Sequence, residues 1–115
     1  MNEFDTLRQQ LRSFAAERDW DQFHSPKNLA AALAVEAAEL LEKFQWLTEA
    51  QSQQLPPDTL EGVRHEVADV LLYLIRISDK LGIDLLAAAQ AKIALNAKKY
   101  PVDLSRGTSK KYDKL

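Results

Sequence analysis

Pro26-Lys27-Asn28-Leu29-Ala30-Ala31-Ala32-Leu33-Ala34-Val35-Glu36-Ala37-Ala38-Glu39-Leu40-Leu41 is the stretch whose reading decides the fold. It is rich in alanine and leucine and free of glycine, and Ser25-Pro26 ahead of it supplies a favoured N-cap and a favoured first helical residue. The spacing predicts a helix from Pro26 to about Leu47, with Leu29, Leu33, Leu40, Phe44 and Leu47 in one apolar stripe. Glu36 falls near the centre of that stripe, and Glu39 lies roughly 60° to one side. An unpaired carboxylate in apolar surroundings is costly, so the pattern calls for something positive to neutralise it.

A second pair, Glu66-Val67-Ala68-Asp69, sits in another apolar stretch. Its helix is expected to start at the capping-box-like Asp58-Thr59-Leu60-Glu61 and to stop at Gly82. Val63, Val67, Val70, Leu74, Ile77 and Leu81 make its stripe, with Glu66, Asp69 and Tyr73 along one edge. Residues three apart share a helix face, so each pair aims two carboxylates at one point. Two such helices side by side offer up to four oxygen-ligand residues, a hard donor set that suits Mg²⁺ or Mn²⁺.

Outside these two helices the chain reads simply. Phe4, Leu7, Leu11 and Phe14 predict a first amphipathic helix ending near Arg18, followed by the aromatic linker Asp19-Trp20-Asp21-Gln22-Phe23-His24. Gln51 to Pro57 reads as a polar loop closed by two prolines. Asp84 is expected to cap a fourth helix that Pro101 ends near Tyr100, with Lys92, Asn96 and Lys99 along one edge. Val102 to Leu115 reads as an irregular tail. The expectation is an all-α, four-helix bundle, with residues 1–115 forming one domain.

Composition narrows the chemistry. The 115 residues contain no cysteine and two histidines, His24 and His65, which excludes thiolate sites and disfavours a His-rich zinc site. A net charge of −2 and a pI near 5.7 give no general attraction to nucleic acid or to an anionic membrane. No apolar run approaches the roughly 20 residues of a transmembrane helix, and Met1-Asn2-Glu3-Phe4-Asp5 is not a signal-peptide start, so the cytoplasm is the expected compartment.

Each motif also has a plainer reading. A lone E-x-x-E on a helix is usually a solvated pair. Lys43 or Lys92 could neutralise the acids across a non-catalytic helical oligomer, and Lys92 and Lys99 could be ordinary surface lysines. Trp20, Trp46 and His24 could be packing residues, and His65, about 100° from Glu66, reads as a surface residue. A di-iron carboxylate bundle uses Glu-x-x-His pairs, whereas positions 39 and 69 here are Glu and Asp.

Taken with the aromatic strings, the acidic pairs resemble a known family. E-x-x-E followed by E-x-x-D, with Phe14-Ala15-Ala16-Glu17-Arg18-Asp19-Trp20, Gln22-Phe23-His24, Phe44-Gln45-Trp46, Asp69-Val70-Leu71-Leu72-Tyr73-Leu74 and Tyr100-Pro101-Val102 with Leu104-Ser105-Arg106-Gly107, is similar to the all-α nucleoside triphosphate pyrophosphatases, the MazG-like superfamily, and within it to the dCTP pyrophosphatase branch. The resemblance implies a Mg²⁺-dependent homo-oligomer, usually a tetramer, that cleaves a dNTP to the monophosphate and pyrophosphate. It implies that Glu36, Glu39, Glu66 and Asp69 hold the metal, with Glu36 and Glu39 counted as catalytic. It further implies that Trp46 and Tyr73 line the nucleotide site, that Trp20 and His24 flank the base, and that Lys92, Asn96 and Lys99 approach sugar and phosphates. The expected substrate is dCTP or a modified pyrimidine dNTP, used in nucleotide-pool housekeeping; dUTP or purine triphosphates are the alternatives within the superfamily. Leu11 departs from the branch, whose mammalian members carry histidine there.

Overall fold

The computed structural model describes all 115 residues, and every regular element is helical. Helix α1 spans Glu3–Glu17 and opens on a capping box in which Asn2 and Asp5 each accept the other's backbone N–H, at 2.9 and 3.0 Å. Asp19 then takes a left-handed backbone, φ 55°, and the chain passes through a 3₁₀ turn at Asp21–Phe23. Helix α2 spans Pro26–Glu42, capped by the Ser25 hydroxyl accepting from Asn28 N–H at 3.1 Å.

Where α2 ends differs from expectation. The helix stops at Glu42, not near Leu47, and Lys43 to Trp46 form tight turns in which Phe44 and Gln45 both donate to the Leu41 carbonyl. No glycine or proline marks this end, so local sequence gave no stop signal. The polar loop holds a further helix, α3, at Glu49–Ser52, started by a Thr48–Gln51 capping box. Helix α4 spans Pro57–Lys80 and begins one residue before the Asp58 capping box expected for it; Pro57 takes the first helical position, where its missing N–H is no loss. Gly82, φ 68°, follows its end in the left-handed conformation that glycine adopts without strain.

The chain divides into two compact units, Met1–Ile83 and Asp84–Leu115. In the first, α2 packs chiefly on α4 and α1 packs on α4 as well, so α4 is the central helix. Gly62 lets the end of α2 come close to α4, since Cε of Lys43 lies 3.3 Å from where a β-carbon at Gly62 would stand. The apolar core is thin. Ala15, Leu29 and Ile75 are its buried members, while Val67 and Leu81 of the expected α4 stripe are 51% and 54% exposed.

That is a correction to the stripe, and its cause is that α4 carries apolar residues on two sides. One arc, with Glu66, Asp69, Val70 and Tyr73, is part-buried; Val67, Leu71 and Leu74 form an exposed stripe beside it, and Leu81 is exposed at the helix end. In the second unit Asp84 caps α5 (Leu85–Lys99) through its side chain on Ala87 N–H, as expected. The tail is not wholly irregular, because Val102–Ser105 forms a short helix, α6, behind Pro101, and Tyr112–Lys114 a 3₁₀ turn. No helix is long and apolar enough to cross a membrane.

Candidate active site

Helices α2 and α4 place Glu36, Glu39 and Glu66 together: one carboxylate oxygen from each lies within 4.8 Å of the others. Three half-buried acids converge, and no lysine or arginine nitrogen of the first unit comes within 4.0 Å of them or of Asp69. Lys43 of the same chain therefore does not neutralise them; it lies over Gly62. Glu36 Oε2 and Glu66 Oε2 are buried and lack any hydrogen-bond partner. Buried carboxylate oxygens without a donor are unfavourable, and an all-oxygen group of this kind fits a hard divalent cation, which would satisfy both.

Electrostatics point the same way. Burial, then the adjoining Glu66 and Glu39 carboxyls and the charges of Glu39 and Asp69, push the Glu36 carboxyl up to about 7. Without a cation, the cluster relieves its own repulsion by holding a proton. Asp69 stands outside the tightest group of three, yet its charge, with burial and Glu36 ahead of it, also raises the Tyr73 phenol.

A cavity of about 470 Å³ adjoins this cluster through Asp69 and Tyr73, which line it. Its walls are mostly apolar: Leu7, Leu11, Phe14 and Ala15 from α1, Trp20 and His24 from the linker, and Leu72 from α4. The turn at Asp19 folds Trp20 back on Phe14, with their rings edge to face at 5.7 Å, and Trp20 in turn meets the His24 ring at 6.5 Å. His24 is held below its usual range, first by burial and then by the charge of Arg76, which favours the neutral imidazole.

The polar wall of this cavity was not legible as a site from sequence. Arg76 lines it, donates from Nε to His24 Nδ1 at 3.2 Å, and pairs with Asp21, which Lys80 also holds. The available signal was the run Leu72-Tyr73-Leu74-Ile75-Arg76-Ile77, a charge amid apolar residues like Glu36.

The family model described as MazG-like matches residues 31–115, a span that holds both acidic pairs. The chain belongs to the MazG-like family. Among its relatives, dCTP pyrophosphatase 1 of Mus musculus is 43% identical over 113 residues, covering 96% of this chain and 66% of that protein. The Homo sapiens protein of the same name is 40% identical over the same coverage, so this chain spans about 66% of the length of these relatives. A crystal structure of a pyrophosphatase from Archaeoglobus fulgidus matches with a TM-score of 0.77 at 37% identity, over 88% of this chain and 94% of that one. The all-α architecture is thus shared with that pyrophosphatase.

The remaining candidate residues of this MazG-like chain are not among those lining the cavity. Trp46 sits in the turn after α2, outside the cavity lining and 86% exposed. Lys92, Asn96 and Lys99 lie on α5 in the second unit, where Lys92 and Asn96 are exposed and the Lys99 ammonium stands 4.9 Å from the centre of the Tyr112 ring. His65 is a surface residue, beside Glu61 at 3.3 Å.

Proposed function

We propose that this chain is a Mg²⁺-dependent nucleoside triphosphate pyrophosphohydrolase that cleaves dCTP, or a modified pyrimidine dNTP, to the monophosphate and pyrophosphate. The observation that carries the reading is the sharing of Asp69 and Tyr73 between the carboxylate cluster and the apolar cavity, which sets a place for phosphates beside a place for a base. Similarity to proteins named dCTP pyrophosphatase 1 supports the choice of substrate.

In this reading Glu36, Glu39, Glu66 and Asp69 hold the cation. Bound there, Mg²⁺ (or Mn²⁺) would neutralise phosphate charge and lower the pKa of a coordinated water. One carboxylate of the pair Glu36 and Glu39 orients the attacking water or takes its proton. Trp20 and His24 flank the base, Tyr73 lines the passage from base to phosphates, and Lys92, Asn96 and Lys99 meet the sugar and the triphosphate. Residues 1–115 act as one functional domain, a reading supported by the span of the family match across both compact units.

The working form is a homo-oligomer, most simply a tetramer. Its support is the thin core and the apolar residues left exposed, Val35 and Leu41 on α2 and Val67, Leu71 and Leu74 on α4. Trp46 is left to close the nucleotide site within that assembly. The deciding experiment is a panel of canonical and 5-modified dNTPs with Mg²⁺, read by pyrophosphate release and nucleotide chromatography. Pyrimidine turnover that stops in excess EDTA is the expected result. Metal-independent turnover or none overturns the reading, and a preference for purine triphosphates would move the base assignment.

A further inference from the structure

Arg76 lies in the middle of an apolar run, and its side chain is only 7% exposed. Every side of its guanidinium is engaged. Nη2 donates to Asp21 Oδ1, Nη1 lies 3.6 Å from Asp79 Oδ2, and Nε donates to His24 Nδ1 at 3.2 Å. Asp21 and Asp79, which also hold Lys80 and Arg12, pair with the charge but do not account for the third bond.

A guanidinium has donors only and does not give up its proton in a protein. The nitrogen that accepts from it must therefore present a lone pair. Nδ1 of His24 is thus unprotonated, and in the neutral ring the proton resides on Nε2. Burial first, and then the charges of Arg76 and Lys80 on α4, oppose a second proton on His24, and Asp21 offsets them in part. Asp21 bridges Arg76 and Lys80, and Trp20 packs edge-on against the His24 ring, so the arginine and the imidazole each meet a second partner.

We propose that Arg76 is a positioning residue for base recognition: by accepting no proton and donating to Nδ1, it fixes His24 as the Nε2–H tautomer, so that the cavity offers a hydrogen-bond donor and selects a cytosine-type ring edge. This rests on reading the cavity as the base site. Cytosine presents N3 and O2 as adjacent acceptors, whereas uracil and thymine carry a proton on N3. A donor held against N3 pairs with the first and opposes the second. An imidazole able to flip or to exchange tautomers would adapt to either base and lose the discrimination; Arg76 removes that freedom.

The tautomer is read in the nucleotide-free, full-length protein by long-range ¹H–¹⁵N correlation spectroscopy. His24 Nδ1 should resonate as an unprotonated, pyridine-type nitrogen and Nε2 as a protonated one. Next, kcat/KM for dCTP, dUTP and dTTP is compared in wild type, Arg76→Met and Arg76→Lys. Arg76→Met should lower the dCTP-to-dUTP ratio by about tenfold, and Arg76→Lys, which keeps a charged donor, should recover part of it. A protonated Nδ1 in the wild type, a wild type with no dCTP-over-dUTP preference, or an unchanged ratio in Arg76→Met overturns this inference alone. A wild type that turns over no pyrimidine triphosphate overturns the base-site reading, and this inference with it. If Arg76→Met does not fold, the wild-type tautomer and the Arg76→Lys ratio decide.

Discussion

Glu36 on α2 and Glu66 on α4 bring carboxylate oxygens within 4.8 Å of each other, and each buries an Oε2 that no donor reaches. Like charges this close do not both ionise freely in a half-buried site, so the pair is organised for something absent from the chain itself. Replacing Glu36 with glutamine should remove one repelling charge while keeping the shape. We expect Glu36→Gln to fold, to melt about 5 °C higher than wild type without metal, and to lose turnover and the Mg²⁺-induced rise in Tm. Wild-type turnover in this variant would end the role assigned to Glu36.

The same carboxyl sets a pH dependence. Its folded pKa of about 7 lies above the ordinary 4.5, so between these values the folded state holds a proton that the unfolded state has released. The stabilising contribution is complete below pH 4.5 and is lost as pH rises through about 7. Metal-free protein should therefore lose stability between those limits in denaturant titrations, and Glu36→Gln should flatten the slope. Saturating Mg²⁺ should reverse it, because the cation binds the ionised cluster.

Asp79 works in the opposite sense. The Arg12 guanidinium bonds it and, with Arg8 and Arg76, holds its carboxyl below the usual range; its side chain is 8% exposed. Its contribution is present above the unfolded pKa and falls away as pH drops through the folded one. Asp79→Asn should destabilise the chain by about 1–2 kcal/mol at neutral pH, discounted for the half-exposed Arg12, with the difference from wild type shrinking in acid.

Assembly can be broken without touching the carboxylates. Leu74→Lys, on the exposed stripe of α4, should shift the particle toward the 13.0 kDa monomer in light scattering. A wild-type protein that is monomeric across micromolar concentrations would exclude the oligomer.

Trp46 separates stacking from packing. At 86% exposure it contributes little to the fold of the lone chain, so Trp46→Ala should leave the melting temperature of a monomeric variant unchanged, and in the assembled protein should raise KM for every substrate by about tenfold or more. A large loss of Tm with KM unchanged would make it a packing residue.

How much of this was readable depended on whether the signal was local. Glu36 could be recognised because a charge in the centre of a periodic apolar face contradicts its surroundings, and Glu66 and Asp69 followed from the repeat of that contradiction on a second helix. Arg76 carried the same contradiction but was hidden, since its partners Asp21 and His24 lie 55 and 52 positions away and only folding brings them near. The α4 stripe was misplaced because one periodicity was fitted to a helix with two apolar sides. The one-turn helices α3 and α6 were missed because a single turn has too few residues to show a period, although the Thr48–Gln51 cap was visible in the sequence.

Asp19 is the one non-glycine residue with a positive φ, and its Oδ2 accepts from Gln22 Nε2 at 3.0 Å just where the chain swings Trp20 into the cavity wall. Holding an aspartate in this conformation costs about 1 kcal/mol relative to glycine, but glycine would restore about the same amount of entropy to the unfolded chain. The two effects offset. Apart from the exposed bond to Gln22, stiffness beside the aromatic wall is therefore obtained with little change in overall stability, and evolution or an engineer could loosen it almost unnoticed: Asp19→Gly would cost a melting curve no more than that one exposed hydrogen bond and would show chiefly in how well the aromatic wall grips its ligand.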